Sequence, residues 1–388
     1  MIAVGTSLEY DTKVAFYNSL NKCNAKNVSL ALVFAGARHD PNLILLASKE
    51  KLPGIPVFGG SVVGIVTRDS ADYSGYEMTV VIFTDGVDLP QIVNSDPNAS
   101  TDDEIGDSLG RAVIDNSKNP HSLIMFYTSV ADTSSRKLHY ATSILNAFSE
   151  VVKNPDLQVA GGGLLTGFNF EDSWAIGNNK IHRHYAFAIL FPDHIKLNIN
   201  VLRACQPTGP AMIITGISGS RITSINDKPA LEVICSLLNR KPGSRGNILS
   251  LNLCLGLIKN VNSGKKNNSS QINRVIVSED ISDNSISLLE PDFHIGDHVQ
   301  IMLRDNDYMI SNASYEETGR PIFSMYIDCA GRASVLTGSF EEEGEIAMSS
   351  IPDGTPSIGI YSGVEIASIS GVPTALDLTG VMVSLVAS

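Results

Sequence analysis

A glycine-rich apolar stretch occurs three times in this chain and strongly limits how the chain can fold. The copies are residues 56–66 (PVFGGSVVGIV), 159–167 (VAGGGLLTG) and 356–365 (PSIGIYSGVE). Each copy contains two glycines four positions apart, which are Gly60 and Gly64, Gly163 and Gly167, and Gly359 and Gly363. Glycine within a strand pattern marks a bend, a bulge, or close approach of a ligand or another backbone. Three copies therefore indicate one supersecondary unit that is used repeatedly.

The segments around each copy support this interpretation. In the first two copies a strand (residues 28–34 and 122–127) precedes a helix (41–51 and 139–153), and a second strand (77–83 and 185–191) follows the glycines. The third copy has a strand at 322–328, a turn at 329–332 and a closing strand at 380–386. We predict a mixed α/β (α+β) protein of about three related strand-helix-strand-strand units, with an internal duplication in the first half.

The signals change after Leu202. A turn is predicted at residues 207–210, and a proline at a first helical position opens a helix at 229–238. We place the domain boundary between Leu202 and Pro229. The predicted N-terminal module covers residues 1–205, with two related halves at about 1–88 and 102–205, and the C-terminal module covers residues 206–388.

Composition and charge exclude several classes of protein. The chain has 388 residues and a formal net charge of −13, and its basic residues form no large cluster, with the pair Lys265-Lys266 lying in a polar segment, so a nucleic-acid partner is not expected. The five cysteines are odd in number and lack C-x-x-C spacing, which fits a reducing compartment and not a disulfide framework. Without a leader or an uncharged apolar run of about 18 residues, we expect a cytoplasmic protein with no membrane insertion.

Several segments, taken in order along the chain, resemble the FIST family of sensory domains, named for F-box and intracellular signal-transduction proteins. The segments in the second half are residues 209–215 (GPAMIIT), 222–230, 293–299 (FHIGDHV), 328–332 (DCAGR) and 358–365 (IGIYSGVE). In the first half, residues 59–66 and the glycine cluster 161–163 are similar to the family's glycine-rich runs. Lys228 and Val364 depart from the family's pattern at two of these sites.

This resemblance implies a non-catalytic sensory module that binds a small ligand, an amino acid or a related metabolite. Because the chain ends at Ser388 without an output domain, the signal is expected to pass to a separate signalling protein. Some proteins with this pattern bind haem and sense nitric oxide, so a haem-binding nitric-oxide sensor is the alternative. No histidine among His39, His121, His139, His182 and His184 is singled out as an axial ligand.

Two groups of residues are candidates for ligand binding. Backbone N–H groups of Gly60, Ser61, Gly64, Gly162 and Gly163 would line a cleft where repeated units meet, although tight packing alone also explains the glycines. In the third copy the candidates are Cys329, Arg332, Tyr361 and Glu365. Arg332 would bind a carboxylate and Glu365 an ammonium group, unless the two side chains pair with each other.

Other chemistry is less well supported by the sequence. A cysteine-dependent enzyme would use Cys329, but no base lies near it in sequence, and a free cysteine is commonly a small buried apolar residue. His182 and His184 have H-x-H spacing without further ligands, so no metal site is predicted. The 161–163 and 263–265 segments lack the spacing of nucleotide-binding loops.

Overall fold

The computed structural model describes residues 1–84, 89–134, 137–169, 171–243, 253–258, 272–314 and 319–387. These residues form eight α-helices, three six-stranded sheets, one seven-stranded sheet and one two-stranded pair. The predicted mixed α/β class is confirmed. The basic pair Lys265-Lys266 and the rejected loop at 263–265 lie outside the described residues.

The first unit contains a sheet with helices on its outer face. Its elements are β1 (Ile2–Ser7), α1 (Thr12–Lys22), β2 (Val28–Ala35), α2 (Pro41–Lys51), β3 (Val57–Ser61), β4 (Gly64–Val66), β5 (Ala71–Asp72) and β6 (Met78–Thr84). Asp11 and Asp40 accept hydrogen bonds from the first turns of α1 and α2, which fixes where these helices begin. The central strand order is β1-β6-β2-β3, with β2 and β3 parallel.

The second unit has the same central arrangement. Its elements are β7 (Gln91–Asn94), α3 (Asp102–Asn116), β8 (Ser122–Thr128), β9 (Val130–Asp132), β10 (Lys137–Leu138), α4 (Ala141–Val152), β11 (Gln158–Leu164), β12 (Ala175–Gly177), β13 (Lys180–His182) and β14 (Ala186–Leu190). Thr101 and Glu104 form a capping box at the start of α3. The central order is β7-β14-β8-β11, and β8 and β11 are parallel.

The third unit begins with β15 (Ile195–Arg203) and is interrupted by a seven-stranded antiparallel sheet. The elements of this inserted sheet are β16 (Cys205–Ser218), β17 (Arg221–Ile225), β18 (Lys228–Pro229), α5 (Ala230–Leu237), β19 (Leu253–Leu257), β20 (Ile272–Asp280), β21 (Ser285–Leu288) and β22 (His298–Arg304). The predicted turn at 207–210 is wrong, because these residues lie within β16. A register shift between Thr208 and Met212 accommodates them.

The chain then completes the third unit. The remaining elements are α6 (Asn306–Ser311), β23 (Phe323–Cys329), α7 (Ser334–Thr337), α8 (Glu343–Ser349), β24 (Ser357–Ser362), β25 (Glu365–Ile369), β26 (Val372–Leu376) and β27 (Thr379–Ala387). A 3₁₀ turn, Ala330–Arg332, follows β23 directly. The central order is β15-β27-β23-β24, with β23 and β24 parallel.

Each six-stranded sheet is completed by a pair of strands from a different unit. The β12–β13 hairpin extends the first sheet beside β3, β25–β26 extends the second beside β11, and β4–β5 extends the third beside β24. This exchange is cyclic and joins the three sheets around a shared apolar core. Phe34, Phe126 and Ile327, one from each unit, lie in that core. Burial of this core stabilises the arrangement of all three units together.

The strand register identifies which glycines are equivalent in the three units. Gly59 lies opposite Val33, Gly161 opposite Met125, and Gly359 opposite Tyr326. Gly59 and Gly161 have φ values of 141° and 153°, and a Cβ atom on either would lie 1.8 Å from the carbonyl oxygen opposite. Only glycine fits there. The glycine pairs four positions apart in the sequence therefore do not mark equivalent positions.

Strand pairing joins residues on the two sides of the predicted boundary between residues 205 and 206. β15 pairs along its length with β27, and β4 pairs with β24. The division into modules 1–205 and 206–388 stays a prediction. No helix in the described part of the chain is long and apolar enough to cross a membrane.

Candidate functional site

A cavity of about 300 Å³ lies between the second unit, the third unit and the inserted sheet. Its volume falls at the small end of the range typical of ligand-binding sites. Three parts of the chain line the cavity. The second unit provides Tyr127, Ser129, Leu138, His139, Leu165 and Phe168. The inserted sheet provides Val275, Ile276 and Val277 from β20, and Leu289 and Glu290 from the loop after β21; the third unit provides Cys329, Ala330, Gly331, Leu336, Gly363, Val364 and Leu378. Val277 and Leu336, which are 40% and 39% exposed, mark its mouth.

The position of the cavity follows from the sheet topology. Ser129, Leu165, Ala330 and Gly363 each come directly after a parallel strand, namely β8, β11, β23 and β24. Open α/β sheets place their ligand sites beyond the carboxyl ends of parallel strands, where the chain turns and backbone groups are available. Two such strand pairs, from two units, meet at this cavity.

Glycines at the cavity wall make room for two hydroxyl groups. A Cβ atom on Gly163 would lie 2.1 Å from Ser129 Oγ and 2.9 Å from Tyr127 Oη, and one on Gly363 would lie 2.6 Å from Ser129 Oγ. The two glycine segments are joined by a hydrogen bond from Gly363 N–H to the Gly163 carbonyl oxygen at 2.9 Å. Within the described residues, neither hydroxyl has a hydrogen-bond partner outside this pair, although Tyr127 is 1% and Ser129 5% exposed. Buried polar groups are normally paired, so these hydroxyls can still bond to a molecule in the cavity.

Glu290 brings a carboxyl group to the same cavity. Ala141 N–H and Thr142 N–H, at the start of α4, donate to its Oε1 and Oε2 at 3.0 Å and 2.9 Å. Tyr140, the residue before α4, provides no side-chain cap. Glu290, in the loop after β21, caps this helix instead. Burial raises the pKa of Glu290 to about 8, although Arg274 and the helix N–H groups act in the opposite direction.

A buried ion pair attaches the inserted sheet beside the cavity. Arg274, in β20, is fully buried and binds Asp292 through two hydrogen bonds, of 2.7 Å and 2.5 Å. Its guanidinium also donates to the Ala375 carbonyl oxygen at 3.2 Å, and Asp377 accepts a hydrogen bond from Val275 N–H at 2.8 Å. These contacts fix β20, and with it the Val275 side of the cavity, against β26.

The predicted residues of the first copy lie at two other junctions. Gly60 packs where a Cβ atom would meet Leu164, and Ser61 Oγ accepts a hydrogen bond from Trp174 N–H at 3.1 Å. Gly64 lies opposite Tyr361, in the pairing of β4 with β24. These three residues do not line the cavity. Gly162 lies opposite Glu365, next to the wall that Gly163 forms.

The charged candidates of the third copy are buried, and Arg332 is paired with acids while Glu365 Oε2 has no hydrogen-bond partner among the described residues. Arg332 pairs with Glu343 and lies 2.9 Å from Asp328, so it does not pair with Glu365. Glu365 Oε1 accepts a hydrogen bond from Ser362 at 2.8 Å, and burial, reinforced by the Asp328 charge, raises its pKa well above the usual value. Tyr361 Oη donates to Glu342. The structure therefore does not bring Arg332 and Glu365 together as a clamp for an amino acid.

Cys329 does line the cavity, at the end of β23. Burial raises the pKa of its thiol well above the ordinary value, and the nearby Glu365 acts in the same direction. Its Sγ lies 3.9 Å from the Gly363 carbonyl oxygen. A raised pKa disfavours the thiolate, which is the reactive form, so the geometry gives the nucleophile hypothesis no support.

The candidate haem and metal ligands are engaged in other contacts. His39 uses both ring nitrogens, with Thr12 and the Tyr76 carbonyl oxygen. His139, which lines the cavity, also uses both, with Asp102 at 2.5 Å and His184 at 2.9 Å. His182 bonds to the Gly177 carbonyl oxygen and stacks on Tyr185, and His121 contacts Asn119. Within the described residues no group of three or more metal-binding side chains is present, and no geometry favours haem.

Sequence analysis missed Tyr127, Ser129 and Glu290. A signal for the first two exists, because the polar pair Thr128-Ser129 directly follows an apolar strand, where parallel strands place ligand sites. No local signal exists for Glu290, since its partners Ala141 and Thr142 are far away in the sequence.

The structure has a cavity of small-molecule size in a mixed α/β fold, and sequence comparison gives the class of protein. The FIST N domain matches residues 29–228 and the FIST C domain matches residues 230–368. FIST domains are generally sensory domains of signal transduction. The chain belongs to the FIST family, as its sequence motifs predicted.

Two curated relatives come from Mycobacterium tuberculosis, one from strain CDC 1551 / Oshkosh and one from strain ATCC 25618 / H37Rv, and both are described as uncharacterized proteins. Each is 20% identical to the chain over 224 residues. The match covers 56% of the chain and 58% of each relative's length. These relatives carry no description of a ligand or partner.

Proposed function

We propose that this protein is a sensory module that binds a small ligand in the cavity between the second and third units, and that it passes the signal to a separate signalling protein. The observation that carries the proposal is the pair of buried hydroxyls, Tyr127 and Ser129, which have no partner outside the pair among the described residues and lie at the wall of a mostly apolar cavity. An unpaired buried hydroxyl costs free energy, which a ligand hydrogen bond recovers.

A chain of contacts also connects the cavity to helices on the outer face, so ligand binding could be sensed there. Glu290 contacts the cavity and caps α4, and α4 packs on α3 so closely that a Cβ atom on Gly106 would lie 2.1 Å from the Ile144 carbonyl oxygen. A ligand that shifts Glu290 therefore shifts a helix pair on the outer face. We also propose that the three units are copies of one repeat, which their shared strand order supports.

An amino acid or related metabolite is the ligand class implied by the family resemblance. The cavity has room for one with an apolar side chain. Neither Arg332 nor Glu365, the clamp predicted for it, lines the cavity, and Arg332 is paired with Asp328 and Glu343. The proposed function therefore requires a small ligand in this cavity and does not depend on its being an amino acid.

Thermal-shift screening of the full chain against common amino acids and neutral metabolites tests the proposal, together with mass spectrometry of molecules that copurify. A ligand at a hundredfold excess over its Kd stabilises the folded state by about 2.7 kcal/mol. We expect at least one compound to do so in the wild type. The effect should be lost in Ala330→Leu, which fills the cavity, and in Leu336→Trp, which blocks its mouth.

Matched controls separate cavity blocking from general damage. Ala211→Leu makes the same change as Ala330→Leu on an exposed strand position, and Val335→Trp adds a tryptophan beside Leu336 at a residue that does not line the cavity. Both controls should respond as the wild type does. If the blocked variants keep the full response to every stabilising compound, the cavity is not the ligand site.

A further inference from the structure

We propose that the cavity selects an uncharged, largely apolar molecule bearing a carbonyl group, whose oxygen accepts hydrogen bonds from both Tyr127 and Ser129. This inference rests on the proposed function and names the class of ligand for the same cavity. It differs from the zwitterionic amino acid that the family resemblance implies.

The two hydroxyl oxygens lie close together at the cavity wall. Ser129 Oγ and Tyr127 Oη are 2.1 Å and 2.9 Å from the position that a Cβ atom on Gly163 would occupy, so the two oxygens are no more than about 5 Å apart and one acceptor can lie within hydrogen-bond distance of both. A carbonyl oxygen has two lone pairs and can accept both hydrogen bonds. Tyr127 is anchored on β8 and Ser129 follows that strand directly, so the two donors are held by a rigid element before the ligand arrives.

The remainder of the cavity disfavours charge. Most of its lining side chains are apolar, and none of the described lining residues is lysine or arginine. Transfer of an unpaired carboxylate into such surroundings costs several kcal/mol. Glu290, the acidic group of the cavity, repels a carboxylate ligand whenever it is ionised. Each of its two oxygens already accepts one hydrogen bond from α4, which reduces its remaining capacity to bind an ammonium group.

Two guanidinium groups lie behind the cavity wall and do not line it. Arg304 donates to the Gly331 carbonyl oxygen at 2.9 Å, and Arg332 donates to the Leu378 carbonyl oxygen at 3.0 Å. The backbone of Gly331 and Leu378 lies between these two groups and the cavity. Arg332 is already paired with two acids, whereas Arg304 Nε has no hydrogen-bond partner among the described residues.

Probes of similar size that differ in the charge and the type of their polar group test the inference. One set is phenylacetamide, benzyl methyl ketone, phenylacetate and phenethylamine; an aliphatic set is hexanamide, hexanoate and hexylamine. Binding to the full chain is measured by ligand-observed NMR titration. In each set we expect the neutral carbonyl compound to bind at least about tenfold more tightly than the charged probes, because one unpaired charge outweighs 1.4 kcal/mol.

Tyr127→Phe and Ser129→Ala test the hydrogen bonds. Each should weaken the amide about threefold to tenfold, the range for loss of one hydrogen bond, while leaving the stability of the empty protein unchanged or raised. Tyr185→Phe is the matched control, because Tyr185 is also fully buried with an unpaired hydroxyl but does not line the cavity. It should leave binding unchanged.

The outcomes separate this inference from the proposed function. Tighter binding of phenylacetate or phenethylamine than of phenylacetamide, or an unchanged Kd in Tyr127→Phe, would overturn the inference while keeping the cavity as a ligand site. If no probe of any charge class binds, and the screening compounds act equally on Ala330→Leu, both proposals fail.

Discussion

The carboxyl ends of the parallel strands in the first unit are closed, whereas those in the second and third units border a cavity. In the first unit Gly36 follows β2 with no room for a side chain, because a Cβ atom would lie 2.4 Å from Glu77 Oε1, and Val62 follows β3 inside the central core. At the equivalent points Ser129 follows β8 and Leu165 follows β11, and both line the cavity. The same strand topology therefore occurs in all three units. The side chains beyond the carboxyl ends of the parallel strands determine whether a cavity forms there.

Each of these two regions contains a buried glutamate, but the two glutamates have different surroundings. Glu77 accepts hydrogen bonds from Ser74 and Gly75 at 3.0 Å and 2.9 Å and closes the first unit. Glu290 comes from the inserted sheet and leaves space between itself and the strand ends. The insertion thus supplies a wall that the first unit lacks, and a cavity results where two units and the insertion meet.

The largest expected effect comes from Gly161, one of the two glycines held at a positive φ against the carbonyl oxygen of the neighbouring strand. Gly161→Ala forces a side chain against the Met125 carbonyl oxygen at a φ of 153°, so we expect a loss of about 3 kcal/mol or more. Gly163→Ala meets only the ends of Ser129 and Tyr127, and should cost less while it reduces ligand binding. Urea denaturation of both variants measures this difference. Equal losses would contradict the distinction between a structural glycine and a cavity glycine.

Adjacent leucines at the end of β11 give the next largest effect. Leu164 packs against Gly60 in the central core, and Leu165 borders the cavity. Leu164→Ala should cost about 3 kcal/mol, within the range for buried leucines, whereas Leu165→Ala should cost about 2 kcal/mol because its side chain borders the cavity on one side. Denaturant titration checks the order. A larger cost for Leu165→Ala would show that the cavity is filled in solution.

The smallest expected effect is a difference in how the two glutamates change the pH dependence of the unfolding free energy. Burial raises the pKa of Glu77 to about 7 and of Glu290 to about 8, above the ordinary 4.5. The folded state therefore binds more protons than the unfolded state above pH 4.5, and stability falls as pH rises through the folded pKa. Glu290→Gln should flatten the loss between pH 7 and 8, by about 1 kcal/mol, whereas Glu77→Gln should act mainly below pH 7. Unfolding curves at several pH values measure both, and equal profiles for the two variants would contradict the assignment.

Much of the local structure was predictable from sequence. Asp40 followed by Pro41 placed the start of α2 correctly, and the strand at residues 298–304 has the predicted bounds. These elements depend on a cap, a fixed proline φ and β-branched runs, all of which are local. The family motifs were also visible as short segments in order.

The candidate site was less predictable, for physical reasons. The exchange of hairpins between units brings Gly163 to Gly363 and places β4 beside β24, and no local pattern reports which sheet receives a hairpin. Arg332 and Glu365 looked like a clamp because they lie on nearby turns. Burial with Asp328 and Glu343 instead fixed Arg332 in a structural ion pair. Of the predicted ligand residues, Cys329 lines the cavity and Gly163 supports its wall.

The central claim is that a small ligand occupies the cavity beside Tyr127, Ser129 and Gly363. A crystal structure of the protein with the compound that stabilises it most in the thermal-shift screen tests this claim directly. The account predicts ligand density in the cavity, with a polar atom within about 3.2 Å of Tyr127 Oη or Ser129 Oγ. Density at Arg332 and Glu365, or on the outer surface with an empty cavity, would contradict it.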